Sequence, residues 1–130
     1  LPLAPDSLYY LTNDAIENCT VYDFQNNRAG QVYDFGRAMG KDPYELFLSG
    51  PLSLLTMENP QAQAGRELIL FRDSFGSSIA PLLISGYSKI TLVDIRYIHP
   101  DYLARFIDFE GCDVLFLYST LVLNNSETLK

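Results

Sequence analysis

An α/β fold, a parallel sheet with flanking helices preceded by a β-hairpin region, follows from three features of the chain. Apolar, strand-like runs recur at residues 68–71, 89–94 and 113–119. Between them lie segments with apolar residues at helical spacing, and that alternation predicts parallel strands joined by right-handed crossovers. Upstream, Val21-Tyr22-Asp23-Phe24 recurs as Val32-Tyr33-Asp34-Phe35 around the turn-like residues 25–30. Both copies alternate in polarity and are rich in aromatics, which predicts the two strands of a hairpin. With 130 residues, 48% of them apolar, the chain fits one compact domain. Residues 1–41 form the hairpin region, 42–123 the α/β part and 124–130 a frayed tail.

Each later element has its own signals. Asp42-Pro43 followed by Gly50 marks one or two helical turns with an acidic cap, a proline at the first position and a glycine stop. Residues 52–57 read as a strand ending in the turn Glu58-Asn59-Pro60, and residues 61–65 as a flexible loop. Leu68 to Phe71 lacks polar alternation and is too short for a helix, so it reads as a buried parallel strand. Ile79, Leu82 and Leu83 share a helical face that Gly86 ends; Pro81 starts that helix near Ser77 and leaves Ser74 and Phe75 in a turn. Residues 89–94 form a second buried strand ending in a carboxylate. A further helix opens at His99-Pro100-Asp101, places Leu103, Phe106 and Ile107 on one face and ends at Gly111. Residues 113–119 complete the series.

Composition excludes several classes. The formal charge is −7 and the basic residues are scattered, so the phosphate-neutralising surface of a nucleic-acid binder is missing. No apolar run is long enough to cross a bilayer, and a soluble chain is expected. The start, Leu-Pro-Leu without a signal-peptide pattern, suggests a piece of a longer protein. Cys19 and Cys112 have no ligand-like spacing, which sets a zinc site aside and leaves them as small hydrophobes rather than a disulfide framework. No metal site and no cofactor are expected. The sequons at Asn18 and Asn124 fit only loosely and are read as accidental.

The chemistry centres on Arg72-Asp73-Ser74-Phe75-Gly76, where a buried strand stops at an Asp-Ser pair and meets small helix-starting residues. Sites of open α/β sheets lie at the carboxyl ends of such strands. Ser74 is therefore a candidate nucleophile, with backbone amides of the next helix available to stabilise developing negative charge. The competing reading makes Asp73, Ser74 or Ser77 a helix N-cap, a common role for these residues. Asp23 and Asp34 invite comparison with an acid/base pair, but matching solvent-side positions on two hairpin strands explain them better. His99, the one histidine, reads as a helix cap.

The chain resembles the DHHW proteins, bacterial surface or secreted proteins related to SGNH-type hydrolases and alginate-type O-acetyltransferases. The resemblance rests on Asp42-Pro43-Tyr44 with Phe47-Leu48-Ser49-Gly50, on residues 68–76 around Asp73-Ser74, and on Val93-Asp94-Ile95-Arg96-Tyr97. It implies a partial SGNH- or flavodoxin-like three-layer arrangement, an extracellular or cell-surface location and a carbohydrate substrate. It puts Ser74 in the nucleophile position and Asp73, Gly76, Asp94, Arg96 and Tyr97 around the substrate. Asp94 and Arg96 are either an ion pair fixing a loop or substrate-facing groups. Arg72 replaces the glycine of a GDS motif, and the upstream Asp-His-His-Trp motif that names the family is absent from this chain.

Two functions follow. The first is the C-terminal part of an SGNH-like esterase or O-acetyltransferase acting on cell-envelope carbohydrate, inactive as a fragment because a serine needs a base within hydrogen-bond reach. The second is a non-catalytic surface domain that binds glycan or a protein partner through its tyrosines. A third and weaker reading is an anion-binding flavodoxin-like module, with the backbone of residues 74–78 cradling a phosphate.

Overall fold

The computed structural model describes residues 7–50, 52–63, 65–125 and 127. In chain order the elements are helix α1 (Asp14–Asn18), strands β1 (Thr20–Asp23) and β2 (Arg28–Gly30), helix α2 (Phe35–Ala38), a 3-10 turn (Pro43–Leu46), strands β3 (Leu54–Glu58) and β4 (Glu67–Arg72), helix α3 (Gly76–Leu83) running into a second 3-10 turn (Ile84–Gly86), strand β5 (Lys89–Val93), helix α4 (Pro100–Leu103), strand β6 (Asp113–Leu117) and helix α5 (Thr120–Asn124). The six strands form one sheet in the order β2-β1-β3-β5-β4-β6.

The three apolar runs are parallel strands, with Leu70 of β4 opposite Leu92 of β5 on one side and Leu115 of β6 on the other. The sheet as a whole is mixed, which corrects the expectation of a parallel, flavodoxin-like sheet. The pairings β1–β2, β1–β3 and β3–β5 are antiparallel. The connection from β3 to β4, residues 59–66, contains no helix among its described residues. A parallel crossover needs a dozen or more residues, so β4 runs opposite to β3 and β5 follows β4.

Helical segments cover both faces of the parallel part, which is why β4 and β5 carry apolar residues at nearly every position. Leu55, Met57, Leu68, Leu70, Ile90 and Leu92 form one core with Ile16 of α1, Ala80 of α3 and Ile84. Leu54, Ile69, Phe71 and Val93 form the other with Leu103 of α4. Such side chains stabilise by roughly 1.5–3 kcal/mol each on burial.

The hairpin exists, but not between the repeated tetrapeptides. β1 ends at Asp23, whose carboxylate turns inward, is buried, and accepts from the backbone N of Asn26 at 3.0 Å and its Nδ2 at 2.7 Å. Asn27 takes φ 52°, a conformation asparagine tolerates, and the tight turn sets Arg28 opposite Asp23 and Gly30 opposite Val21. The second strand thus lies inside the stretch expected to be the turn. A Cβ on Gly30 would sit 2.9 Å from Val21 Cγ1, so the close approach needs glycine. Val32 and Tyr33 are held instead by Leu48 and Phe47, and Asp34 caps α2, accepting from Arg37 N at 3.2 Å and from Ser49 Oγ at 2.6 Å. Asp23 is therefore buried rather than solvent-side, and both carboxylates are engaged in local bonds.

Two helices also differ from expectation. α4 is a single turn, continued by hydrogen-bonded turns to Ile107, and does not reach Gly111; before that glycine Asp108 Oδ1 accepts from Glu110 N at 3.0 Å, a side-chain turn that competes with the helical ladder. The Ser119 side chain caps α5, a helix the sequence reading did not anticipate. The expected loop at 61–65 and tail at 124–130 lie partly outside the described residues. Among the described residues no helix is long and apolar enough to cross a membrane.

α3 contains Pro81 and starts at Gly76, with Ser74 and Phe75 in a turn before it. A Cβ on Gly76 would lie 2.5 Å from Arg72 Cβ and 2.8 Å from its Cγ. Those atoms belong to the stem of a fully buried side chain and cannot swing away. Gly76→Ala is therefore expected to cost about 1–3 kcal/mol. Gly86→Ala, with nothing within 4 Å, is expected to change stability by no more than about 0.5 kcal/mol. Urea midpoints of the two variants check the contrast; equal midpoints would remove the claimed close approach.

Candidate functional site

Ser74 sits where the carboxyl end of β4 turns into α3, and Asp73 builds that turn. Its Oδ1 accepts from Phe75 N at 3.0 Å and its Oδ2 from Ser119 N at 2.6 Å, while its own N donates to Leu117 O at 3.3 Å. The buried carboxylate thus ties the end of β4 to the end of β6 and bends the chain so that Ser74 projects outward. Ser74 is half-buried, and its Oγ makes no hydrogen bond among the described residues. The hydroxyl is not used as a helix cap; α3 has no side-chain cap at all.

The nearby amides divide into engaged and free. Phe75 N is held by Asp73 Oδ1, Gly76 N by Asp73 O and Ser77 N by Ser74 O. These three cannot form the phosphate cradle of the anion-binding reading. The amide of Ser74 itself has no acceptor among the described residues. A donor on the residue that carries a candidate nucleophile is well placed for an oxyanion formed at that hydroxyl.

Ser74 opens onto a cleft of about 280 Å³. One wall is Ser74, Phe75 and Ser77; a second is Asp42, Tyr44 and Glu45 of the first 3-10 turn; the third is Arg96 and Tyr97, just beyond β5. Tyr44 Oη reaches across to Ser78 Oγ at 2.7 Å and to Phe75 O at 3.1 Å, which ties the 3-10 turn to the start of α3. A wider depression of about 580 Å³ lies elsewhere, over β1 and β3 beside Tyr22 and Phe24. The smaller cleft is the candidate site because Ser74, just past the carboxyl end of β4, lines it.

Of the residues expected around the substrate, Ser74, Arg96 and Tyr97 line the cleft, whereas Asp73, Gly76 and Asp94 lie behind its wall, buried. Asp94 receives Arg96 through three bonds, from its backbone N at 3.1 Å, its Nε at 2.9 Å and its Nη2 at 2.7 Å. Arg72 Nη1 approaches the same carboxylate at 3.7 Å, with both side chains fully buried. Asp94 is thus a structural counter-ion. Arg96 has its fork fixed by Asp94 and also lines the cleft, where its guanidinium lies 5.2 Å from the Tyr97 ring centroid. The hydrogen bond to Asp94 raises the Arg96 pKa; burial lowers that of Arg72. The two guanidiniums are balanced by two buried carboxylates, those of Asp94 and Asp73.

Tyr118 joins this cluster with an unpartnered, buried hydroxyl. Burial, followed by the charges of Asp94 and Asp73, pushes its phenol up to about 12. A raised pKa means stability that is fully present below the unfolded value of roughly 10 and lost as pH rises through the folded value. Tyr118→Phe is expected to abolish that alkaline loss and, by removing an orphaned polar group, to stabilise the fold by about 1 kcal/mol at pH 7. Urea unfolding at pH 7 and above pH 10 checks this; identical alkaline slopes in both proteins would contradict it.

His99 caps α4, its Nδ1 accepting from Asp101 N at 3.2 Å, and does not line the cleft. The carboxylates that do are engaged: Asp42 accepts from Tyr44 N at 3.0 Å, and Glu45 pairs with Arg37 at 3.1 Å. Among the described residues no cluster of His, Cys, Asp and Glu could hold a metal ion. Cys19 and Cys112 are free thiols, and burial pushes Cys19 up to about 11.

No protein-family profile and no curated protein matches the chain. Solved structures do match. A DHHW family protein from Eubacterium siraeum DSM 15702 superposes with TM-score 0.56 and 26% identity over 85% of this chain. Bacillus cereus PatB1 superposes with TM-score 0.60 and 23% identity over 81%. A second PatB1 structure, carrying a sulfonyl adduct, gives 0.59 and 22% over 81%. These proteins share the fold. The chain covers only 38% of the DHHW protein and 36–38% of PatB1, so much of each neighbour has no counterpart here. Sequence reading missed the opposite wall of the cleft: residues 42–50 read as a capped helical turn, with Asp42 and Tyr44 also part of a resemblance, and nothing placed Asp42, Tyr44 or Glu45 at the site.

Proposed function

We propose that the chain is the C-terminal part of a longer SGNH-like esterase or O-acetyltransferase of the bacterial cell surface, acting on envelope carbohydrate, with Ser74 as its nucleophile. One observation carries this reading: a serine hydroxyl at the carboxyl end of a parallel strand, without a hydrogen bond among the described residues, open to a cleft walled by a fixed arginine. The superpositions on a DHHW family protein and on PatB1 support it at the level of fold.

In the proposed reaction Ser74 Oγ attacks the acyl carbon of an O-acetyl sugar while its proton passes to a base. The Ser74 amide stabilises the tetrahedral oxyanion. Collapse breaks the bond to the sugar oxygen, which takes up the proton, and leaves an acyl-serine. Water or a second sugar hydroxyl then attacks and gives its proton to the base, and collapse breaks the acyl bond to Ser74 Oγ, which takes that proton back. No histidine lines the cleft, so the base comes from the rest of the parent protein.

The test compares acetyl-ester turnover by the 130-residue chain and by a version extended upstream. Turnover should appear only in the extended protein. Equal turnover in both would mean that the base lies within this chain, and inactivity of both across acetylated glycans would abandon the enzymatic reading. A second reading, a non-catalytic glycan-binding domain, is favoured by the open depression beside Tyr22 and Phe24, which pack edge to face at 4.7 Å. Glycan binding that Tyr22→Ala weakens, without turnover in any version, would favour it.

A further inference from the structure

The two edges of the sheet are built differently. β2 is three residues long and carries an arginine and a glycine, a short edge of the kind that discourages strand addition. β6, five residues pairing among the described residues only with β4, reads Asp-Val-Leu-Phe-Leu. Val114 and Phe116 sit opposite Ile69 and Phe71 on one face, and Leu115 and Leu117 opposite Leu70 and Arg72 on the other. Apolar residues on both faces are the composition of an interior parallel strand. Yet Val114 is 46% exposed, Leu115 40% and Phe116 64%. No proline, lysine or bulge guards this edge. Phe116 stacks on Phe71 at 4.6 Å and carries the second core outward to solvent.

We infer that β6 is an interior strand of the parent protein's sheet, its open edge occupied by one further strand from the part of that protein outside these 130 residues. This rests on the reading above that the chain belongs to a longer protein, as do neighbours of which it covers 36–38%. The occupant is an extended segment, apolar on both faces. A second copy fits less well: each carries a formal charge of −7, and pairing two five-residue edges buries far less than the roughly 1,200 Å² of a stable interface. A strand of the same chain avoids that requirement, because its effective concentration is set by its tether. The Asp73–Ser119 bond joins the end of β6 to the Ser74 turn, so strand addition also stiffens the turn that presents the serine.

Amide hydrogen exchange of the 130-residue chain and of the parent protein tests this, with acetyl-ester turnover measured on the same samples. The amides of β6 that point away from β4 should exchange at least about 100-fold more slowly in the parent, while those of β2 change little. Val114→Lys should leave the melting temperature of the 130-residue chain unchanged and lower that of the parent. Equal exchange of β6 in both proteins overturns the inference. So does protection in the 130-residue chain accompanied by a dimer in sedimentation, which would make a second copy the occupant. Protection without turnover upholds the edge and sinks the enzymatic reading; turnover without protection does the reverse.

Discussion

Asp94→Ala is expected to destabilise the fold by roughly 3–5 kcal/mol, because removing one partner of a buried ion pair leaves the other charge uncompensated. Arg72 is fully buried, two of its nitrogens already lack hydrogen-bond partners, and its remaining bond is from Nη2 to Leu52 O at 2.9 Å. Without Asp94 that guanidinium has no counter-ion in contact, and Arg96 loses the bonds that hold it at the cleft. The opposite deletion is milder. Arg72→Met fills a similar volume, leaves Asp94 its three bonds from Arg96 and removes two orphaned donors, so its cost should not exceed about 1 kcal/mol. Denaturant unfolding of the two variants measures the asymmetry; comparable losses, or a larger loss for Arg72→Met, would show that Asp94 is not the hub of the cluster.

Ser74→Ala, in the parent protein, is expected to lower acetyl-ester turnover by about a thousandfold or more, the scale on which losing a serine nucleophile acts. The same change should leave stability within about 0.5 kcal/mol, since the hydroxyl makes no hydrogen bond to lose. The pairing of a large kinetic effect with a negligible thermodynamic one separates a nucleophile from a cap. A cap would behave the other way, costing about 1 kcal/mol and leaving turnover in place.

Much of the parallel part was legible because its signals are local and agree. Residues 68–71 are a continuous apolar run and residues 90–93 are apolar but for Thr91, both bounded by charged residues. The turn at Ser74 and Phe75 followed from Pro81, which pushes the helix start downstream. The hairpin register was not legible: two identical patterns pointed to paired strands, but the side-chain bonds of Asp23 to Asn26 close the first turn early and Asp34 opens a helix instead. Such competition between a side chain and the backbone ladder leaves no trace in polarity alternation. The mixed sheet was hidden for another reason, since strand direction at β3 depends on a connection without a helix rather than on the strand's own residues.

The candidate site was partly legible. Ser74, Arg96 and Tyr97 stand near carboxyl ends of recognised strands, so topology alone brought them to one edge. Tyr44 and Glu45 reach the same cleft from a segment some thirty residues upstream, through tertiary packing that no spacing rule encodes. Asp73 and Asp94 were found as chemistry-bearing residues, and burial makes them the framework behind the wall.

The central claim is that Ser74 is a nucleophile made reactive by a base outside this chain. Its most direct measurement is covalent labelling by an aryl sulfonyl fluoride, located by peptide mass mapping in the 130-residue chain and in the extended parent protein. The account predicts one adduct, on Ser74, in the parent, and little or none on the fragment over the same time. An adduct on another residue of the parent, or equally rapid labelling of Ser74 in both proteins, would contradict it.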